Sequence, residues 1–137
     1  MTDLLERYFS FRGRLARLPF FIRCIYVNIA AMIPLVVGLA LFTNGGRLWW
    51  WAGFAVVLIS FAMLGVGLAS AFVRRLHDLG LSGYHAIWIG AAEAVWTALT
   101  NAPLHAILMG LPLFAIDLWL TFWPGNAGAN RFGDAPG

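Results

Sequence analysis

Arginine supplies the candidate chemistry of this sequence. All nine cationic residues are arginine, and the chain contains no lysine. A guanidinium group carries five N–H donors in a planar fork that fits a carboxylate or a phosphate, and it keeps its charge, so it suits anion binding better than proton transfer. Arginine and glycine occur together in segments 11–17, 74–84 and 124–133. Anion recognition is therefore the first chemistry that we expect.

The central segment combines cations with glycine in the order Arg-Arg-Leu-His-Asp-Leu-Gly-Leu-Ser-Gly-Tyr. A helix that begins at Ser82 or Gly83 would present free backbone N–H groups beside Arg74 and Arg75, and such groups favour an anion. Gly80 and Gly83 would also let backbone amides approach a phosphate closely. The segment therefore predicts a small anion-binding nest.

The predicted anion site draws on all three segments. If they converge, a phosphorylated molecule or a lipid head group would meet several guanidinium forks. The alternative is structural: arginines beside a membrane orient the chain and contact anionic lipid loosely, at about 1 kcal/mol each, while the glycines shape a tight loop. The predicted anion-binding or lipid-binding residues are Arg14, Arg17, Arg74, Arg75, Gly80, Ser82, Gly83 and Arg131.

His77 and Asp78 could form an acid–base pair, but a nucleophile is missing beside them. Ser82 is a more natural helix cap than a catalytic hydroxyl, and adjacent residues of a helix do not face one another. We expect both residues to structure the loop, with Asp78 accepting loop amides or pairing with an arginine, and we assign no catalytic residue. The single cysteine, Cys24, excludes a cysteine-built metal site, and neither a metal nor a cofactor is expected.

Membrane-spanning helices must position these residues. Of the 137 residues, 61% are hydrophobic and 11% are charged, whereas roughly a quarter of the residues in soluble proteins carry charge. The length allows one domain with about four spans of about 20 residues. We therefore predict an all-α polytopic membrane protein with four transmembrane helices in two antiparallel hairpins. The predicted parts are spans at about 20–43, 48–73, 84–100 and 103–123, a loop over 74–83 and a tail over 124–137.

The distribution of arginine predicts the orientation, because short cytoplasmic loops retain positive charge. Five arginines precede or enter span 1, two follow span 2 and one follows span 4, whereas only Arg47 lies on the other side. We therefore expect both termini and the central loop to be cytoplasmic. Apolar residues at helical spacing predict a short amphipathic helix on the inner leaflet over residues 2–10.

The candidate intramembrane polar residues are Arg23, His85, Glu93 and Asp117. Glu93 is about 13 Å along span 3, near the bilayer midplane, where an ionisable group suggests a function by default. A tight hairpin of spans 3 and 4 would bring Asp117 level with His85, and Arg23 is a candidate partner for Glu93. A proton or cation relay and packing contacts that fix helix pairing both fit this pattern.

The arginine-containing and glycine-containing segments resemble a known family. The run Arg-Arg-Leu-His-Asp-x-Gly-x-Ser-Gly, with the segments at 11–17 and 124–133, is similar to the bacterial "domain of unknown function 805" family of small inner-membrane proteins, over nearly the whole chain. In that family a tryptophan usually follows Ser-Gly, where this chain has Tyr84. The resemblance implies a four-helix protein of a bacterial inner membrane, and it implies neither an activity nor catalytic residues.

Three functions fit the sequence. The leading expectation is a non-enzymatic accessory or scaffold protein whose cytoplasmic face recognises anionic inner-leaflet lipid or a membrane-protein partner. A homo-oligomer is a further partner that the sequence allows. The alternative is a subunit of a small transporter or channel that uses Glu93 and Asp117, and an enzyme acting on lipid head groups comes third. Nucleic acid is not an expected partner, because the net charge of +3 is small and scattered between apolar spans.

Overall fold

The computed structural model describes residues 8–44, 46–99 and 103–136, without the side chains of Leu48, Thr97, Leu99 and residues 103–109. Over these residues the protein has four helices, besides the helical residues Tyr8 and Phe9, and no strand, which confirms the prediction of an all-α fold. The helices are α1 (Arg17–Asn44), α2 (Arg47–Asp78), α3 (His85–Leu99) and α4 (Pro103–Phe122).

Helices α1 and α2 are long and apolar enough to cross a membrane. They contain 28 and 32 residues, about 42 and 48 Å at 1.5 Å per residue, against a hydrocarbon core about 30 Å thick. In the most apolar 18-residue stretch of each helix, only 17% and 22% of the stretch is buried inside the protein. The core helix of a soluble protein is mostly buried. These two helices indicate a membrane protein.

Helix α2 continues beyond the predicted end of its span at residue 73 and stops at Asp78. Arg74 and Arg75 therefore lie on the last turns of a helix and not in a loop. A basic residue near a helix C-terminus is favourable, because the unpaired carbonyl groups there carry partial negative charge.

Helices α3 and α4 are shorter, with 15 and 20 residues, and they contact each other. A Cβ atom on Gly110 would lie 2.7 Å from Cζ2 of Trp96, so the glycine in α4 gives the indole ring of α3 room to pack. The predicted turn between these helices falls on residues 100–102, outside the described part of the chain.

The chain folds into two compact units, to each of which α1 and α2 contribute. The first unit comprises the described residues up to Ser10 and Ile22–Ser70, and the second comprises Phe11–Phe21 and the chain from Ala71 onwards.

In the first unit, α1 and α2 approach closely at glycine. A Cβ atom on Gly53 would lie 2.6 Å from the carbonyl oxygen of Gly38 and 2.5 Å from the backbone nitrogen of Phe42. Farther along α2, a Cβ atom on Gly67 would lie 2.8 Å from a methyl carbon of Val27. Small residues that permit such approach are typical of packed transmembrane helices.

Tyr8 also belongs to the first unit. Its carbonyl group accepts a hydrogen bond from Ser70 Oγ at 2.7 Å, and the guanidinium carbon of Arg23 lies 5.1 Å from the centre of its ring. Most of the predicted amphipathic helix over residues 2–10 lies outside the described residues, whereas Tyr8 and Phe9 are helical.

The arginine cap, a candidate functional site

The three arginine-containing segments meet within the second unit. Hydrogen bonds join residues 11–17, 71–84 and 120–134, and we call this assembly the arginine cap. Leu15 is fixed to the end of α2, because its backbone N–H donates to the carbonyl oxygen of Arg74 at 3.0 Å. Nearby, the edge of the Phe20 ring packs against Phe72, with ring centres 5.4 Å apart.

The centre of the cap is the carboxylate of Asp78, whose residue is 2% exposed. Its Oδ1 atom accepts hydrogen bonds from Nε and Nη2 of Arg14 at 3.1 and 2.9 Å, and its Oδ2 atom accepts one from Nη1 of Arg75 at 2.6 Å. Both arginines are buried as well. Charges at such depth are tolerated only when they are paired and hydrogen-bonded, and the group satisfies both conditions.

Arg14 also binds the tail that follows α4. Its Nη1 atom donates to the carbonyl oxygens of Gly128 and Gly133 at 2.6 and 3.3 Å, and its Nη2 atom donates to that of Asn126. In return, the backbone N–H of Asn126 donates to the carbonyl oxygen of Asp78 at 2.9 Å. One guanidinium group therefore joins the segment before α1, the end of α2 and the tail.

Arg75 closes the C-terminal end of α4. Its Nε atom donates to the carbonyl oxygen of Leu120 at 2.6 Å, and its Nη2 atom donates to that of Trp123. The last carbonyl groups of a helix have no partner within the helix and carry partial negative charge. A buried cation on α2 thus stabilises the end of a second helix.

Gly80 terminates α2 in a Schellman motif. Its φ is +77°, its N–H donates to the carbonyl oxygen of His77 at 3.1 Å, and the N–H of Leu81 donates to that of Leu76 at 2.8 Å. A Cβ atom at Gly80 would lie 2.8 Å from Nδ2 of Asn126. The sequence predicted that this glycine would expose amides to a phosphate, but the helix end uses the amides itself.

The start of α3 differs from the prediction in a similar way. The helix begins at His85 and not at Ser82 or Gly83. Backbone N–H groups of residues 85–87 donate to the carbonyl oxygens of residues 82–84 at 3.0–3.1 Å. The N–H of Tyr84 lies 3.4 Å from Ser82 Oγ. Ser82 therefore caps the turn, and these N–H groups are not free for an anion.

Gly83 has a packing role. A Cβ atom there would lie 2.7 Å from Cγ1 of Val73 and 3.2 Å from Nε2 of His77. The missing side chain lets the connection between α2 and α3 lie against α2.

His77 faces away from the ion-paired carboxylate beside it. Its Nδ1 atom lies 3.1 Å from the carbonyl oxygen of Gly13, and its ring stacks on Phe132 with ring centres 3.8 Å apart and planes 8° apart. Asp78 meanwhile binds two arginines. The two residues therefore have separate partners, which matches the structural interpretation weighed against an acid–base pair.

The six arginines of the cap differ in burial. Arg14 and Arg75 are buried, whereas Arg12, Arg17 and Arg131 are exposed. Arg74 is half-buried, and its Nη2 atom lies 3.5 Å from the carbonyl oxygen of Arg14. Two of the arginines predicted to bind a ligand, Arg14 and Arg75, therefore lie inside the cap and bind groups of the protein itself.

Glu93 lies on α3 and Asp117 lies on α4, two helices that contact each other, and both residues are half-buried. The Oδ1 atom of Asp117 is shielded and has no hydrogen-bond partner among the described residues. His85 is exposed, and no ion pair joins its side chain to Asp117 in the described part of the chain. Among those residues no cluster of three histidine, cysteine or acidic side chains could hold a metal ion.

Sequence reasoning missed the contribution of the tail. Asn130 donates from Nδ2 to the carbonyl oxygen of His77 at 2.9 Å and accepts from the N–H of Phe132 at 2.9 Å, while Gly133 adopts a φ of +129°. Asparagine favours turns because its side chain bonds to nearby backbone groups, and glycine favours them because it adopts positive φ. That composition could have indicated an ordered tail, although not its carbonyl contacts with Arg14.

Comparison with known proteins supports the resemblance drawn from the sequence. The family model described as "Protein of unknown function (DUF805)" matches residues 8–134. No curated protein and no solved structure matches the chain.

Proposed function

We propose, from the premise that the chain belongs to the DUF805 family of proteins of unknown function, that it is a four-span inner-membrane accessory or scaffold protein that recognises anionic lipid head groups. In this proposal the arginine cap faces the cytoplasm. The observation that carries it is the division of the arginines: Arg14 and Arg75 fold the cap around Asp78, while Arg17 and Arg131 remain at the surface.

The charge of the cap supports this orientation and this ligand class. The described residues 11–21, 71–84 and 123–136 contain six arginines and two aspartates, a net charge of +4 with histidine neutral. Loops rich in arginine are retained in the cytoplasm, where the membrane surface is negative. Arg47, at the opposite end of α2, is the single arginine on the other side.

Exposed apolar side chains support a membrane location for α3 and α4 as well. Trp88 and Val95 on α3 are 74% and 57% exposed, and Phe114 on α4 is 58% exposed. Water would disfavour such a surface, whereas lipid chains would cover it. Tyr84 and Trp123, both exposed, stand at the ends of these helices nearest the cap, where amphipathic aromatic rings suit the head-group region.

The proposal is tested by retention of lipid. The detergent-purified protein is analysed by native mass spectrometry after incubation with phosphatidylglycerol or with zwitterionic phosphatidylcholine. We expect selective retention of phosphatidylglycerol, reduced by Arg17→Gln and by Arg131→Gln. The matched control is Arg47→Gln, which removes the same charge from the opposite end of α2. Equal retention of the two lipids, or an equal loss in the control, would contradict the proposal.

The second candidate is a subunit of a small transporter or channel, favoured by the shielded Oδ1 atom of Asp117 on α4, which contacts α3, the helix that carries Glu93. It predicts proton or cation flux in proteoliposomes that Glu93→Gln abolishes while the fold is retained. Asp134→Asn, an exposed carboxylate in the tail, is the control and should leave the flux unchanged. Absence of flux in the unmodified protein would remove this candidate.

A further inference from the structure

We infer that Arg131 is the residue of the cap that binds the phosphate of an anionic phospholipid head group, with its guanidinium plane held in advance by Phe132 and by the carbonyl group of Gly80. The inference rests on the proposed function. Through this contact the cap would bind the phosphate of a head group specifically, and not only respond to the negative charge of the membrane surface.

Two contacts hold the guanidinium group of Arg131. Its carbon atom lies 4.7 Å from the centre of the Phe132 ring, and its Nη2 atom lies 3.4 Å from the carbonyl oxygen of Gly80. A guanidinium group above an aromatic ring at this distance is attracted to the face of the ring, and a compact ammonium group cannot reproduce the contact of a planar fork.

The ring under Arg131 is itself fixed in the cap. Phe132 stacks on His77 and donates its backbone N–H to Oδ1 of Asn130. His77 lies on the last turn of α2. The ring that contacts Arg131 is therefore itself held against a helix. A side chain ordered before binding loses less conformational entropy when it binds, which raises affinity and geometric selectivity.

Arg131 also keeps donors for a ligand. Arg14 and Arg75 direct Nε, Nη1 and Nη2 at acceptors within the cap. Arg131 makes one hydrogen bond to described residues, so its Nε and Nη1 atoms face no described acceptor. Arg17 is exposed too, but no described aromatic ring stacks on it. Arg131 therefore combines available donors with an aromatic support that Arg17 lacks.

The position of Arg131 favours lipid as the source of the phosphate. Its acceptor Gly80 is four residues before Tyr84, which is 76% exposed, and four residues span at most about 14 Å. Tyrosine and tryptophan rings at the ends of membrane-spanning helices are enriched at the level of the head groups. Gly80, which binds the guanidinium group of Arg131, therefore lies within about 14 Å of a residue placed at the level of the lipid phosphates.

The test separates planarity from charge. Arg131→Lys keeps the charge and removes the stacked fork, and Arg17→Lys is the matched control. Binding of short-chain phosphatidylglycerol to the detergent-purified protein is titrated by native mass spectrometry, with inorganic phosphate as a competing soluble anion. We expect Arg131→Lys to weaken the binding about tenfold, equivalent to about 1.4 kcal/mol, and Arg17→Lys to leave it unchanged. Phe132→Leu should weaken it similarly without any change in charge.

The outcomes distinguish the inference from the function on which it rests. If Arg131→Lys binds normally while Arg131→Gln and Arg17→Gln bind weakly, the cap responds to charge alone; the inference is then overturned and the proposed function stands. Competition by inorganic phosphate at equal affinity would overturn the lipid source. If the unmodified protein shows no preference for phosphatidylglycerol over phosphatidylcholine, both fail. Should Phe132→Leu unfold the protein, Arg131→Lys decides, since it leaves the ring in place.

Discussion

The guanidinium group of Arg14 binds the carboxylate of Asp78 across 64 residues of sequence, with Nε and Nη2 both donating to Oδ1. This pair joins the segment before α1 to the end of α2. Because Arg75 occupies the other oxygen of the same carboxylate, Asp78 is the shared acceptor of two buried cations. Loss of this one carboxylate would therefore leave both buried cations without their counter-charge.

Asp78→Asn is expected to destabilise the protein by about 3–5 kcal/mol, because it leaves two buried guanidinium groups without their counter-charge. Unfolding of the detergent-purified protein by added denaturing detergent, followed by circular dichroism, measures the change. Asp134→Asn removes an exposed carboxylate of the same tail and should change the stability by less than about 0.5 kcal/mol. A similar small effect at Asp78 would show that the ion pairs do not hold the cap.

Arg75→Lys should loosen the end of α4, although it conserves charge. An ammonium group on a single stem cannot reach Asp78 and the carbonyl groups of Leu120 and Trp123 together, as the guanidinium fork does. We expect faster amide hydrogen exchange in the last turn of α4, measured by mass spectrometry of peptides. Arg47→Lys, at an exposed position, should leave exchange there unchanged. Unaltered protection in Arg75→Lys would mean that Arg75 does not cap α4.

The sequence predicted the helices better than the interior of the cap. Long uncharged stretches identify α1 and α2 because apolar length is a property of one segment. The partnership of Arg14 and Arg75 with Asp78 depends on three segments meeting, and their other acceptors are backbone carbonyl groups, which any residue type supplies. Gly80 carried a signal that the prediction did not use, since a glycine just after a helix usually marks its end, whereas the predicted span ended at residue 73.

Gly80→Ala and Gly90→Ala should have effects of opposite sign. The φ of +77° at Gly80 would cost an alanine about 1–2 kcal/mol, and its Cβ atom would press on the side chain of Asn126. Gly90 lies within α3, where a Cβ atom would meet nothing within 4 Å. Alanine there should stabilise the helix by up to about 1 kcal/mol. Thermal unfolding of the two variants in one detergent gives the comparison, and destabilisation of equal size would contradict it.

Gly53→Ala should separate α1 from α2, because its Cβ atom would lie 2.5 Å from the backbone nitrogen of Phe42 and 2.6 Å from the carbonyl oxygen of Gly38. Backbone atoms cannot yield as a flexible side chain can, so we expect a loss of about 1–3 kcal/mol. Gly65→Ala, on the same helix with open space around it, is the control and should be neutral or stabilising. Equal stability of the two variants would show that the close contact is not maintained.

The proposed orientation predicts opposite accessibility for two exposed positions. Cys24 is the only cysteine of the chain, so Cys24→Ala gives a background without thiols in which Gly46→Cys and Asp134→Cys are introduced separately. Both positions are exposed, and neither contributes to the ion pairs of the cap. A membrane-impermeant maleimide applied to intact spheroplasts should label Gly46→Cys at once, because that residue lies beside Arg47 on the outer side. It should label Asp134→Cys only after the membrane is permeabilised, because the tail is held on the cap by Arg14. Labelling of both thiols in intact spheroplasts would require an even number of spans between them, and the reverse pattern would place the arginine cap outside the cell, where it would face no cytoplasmic lipid.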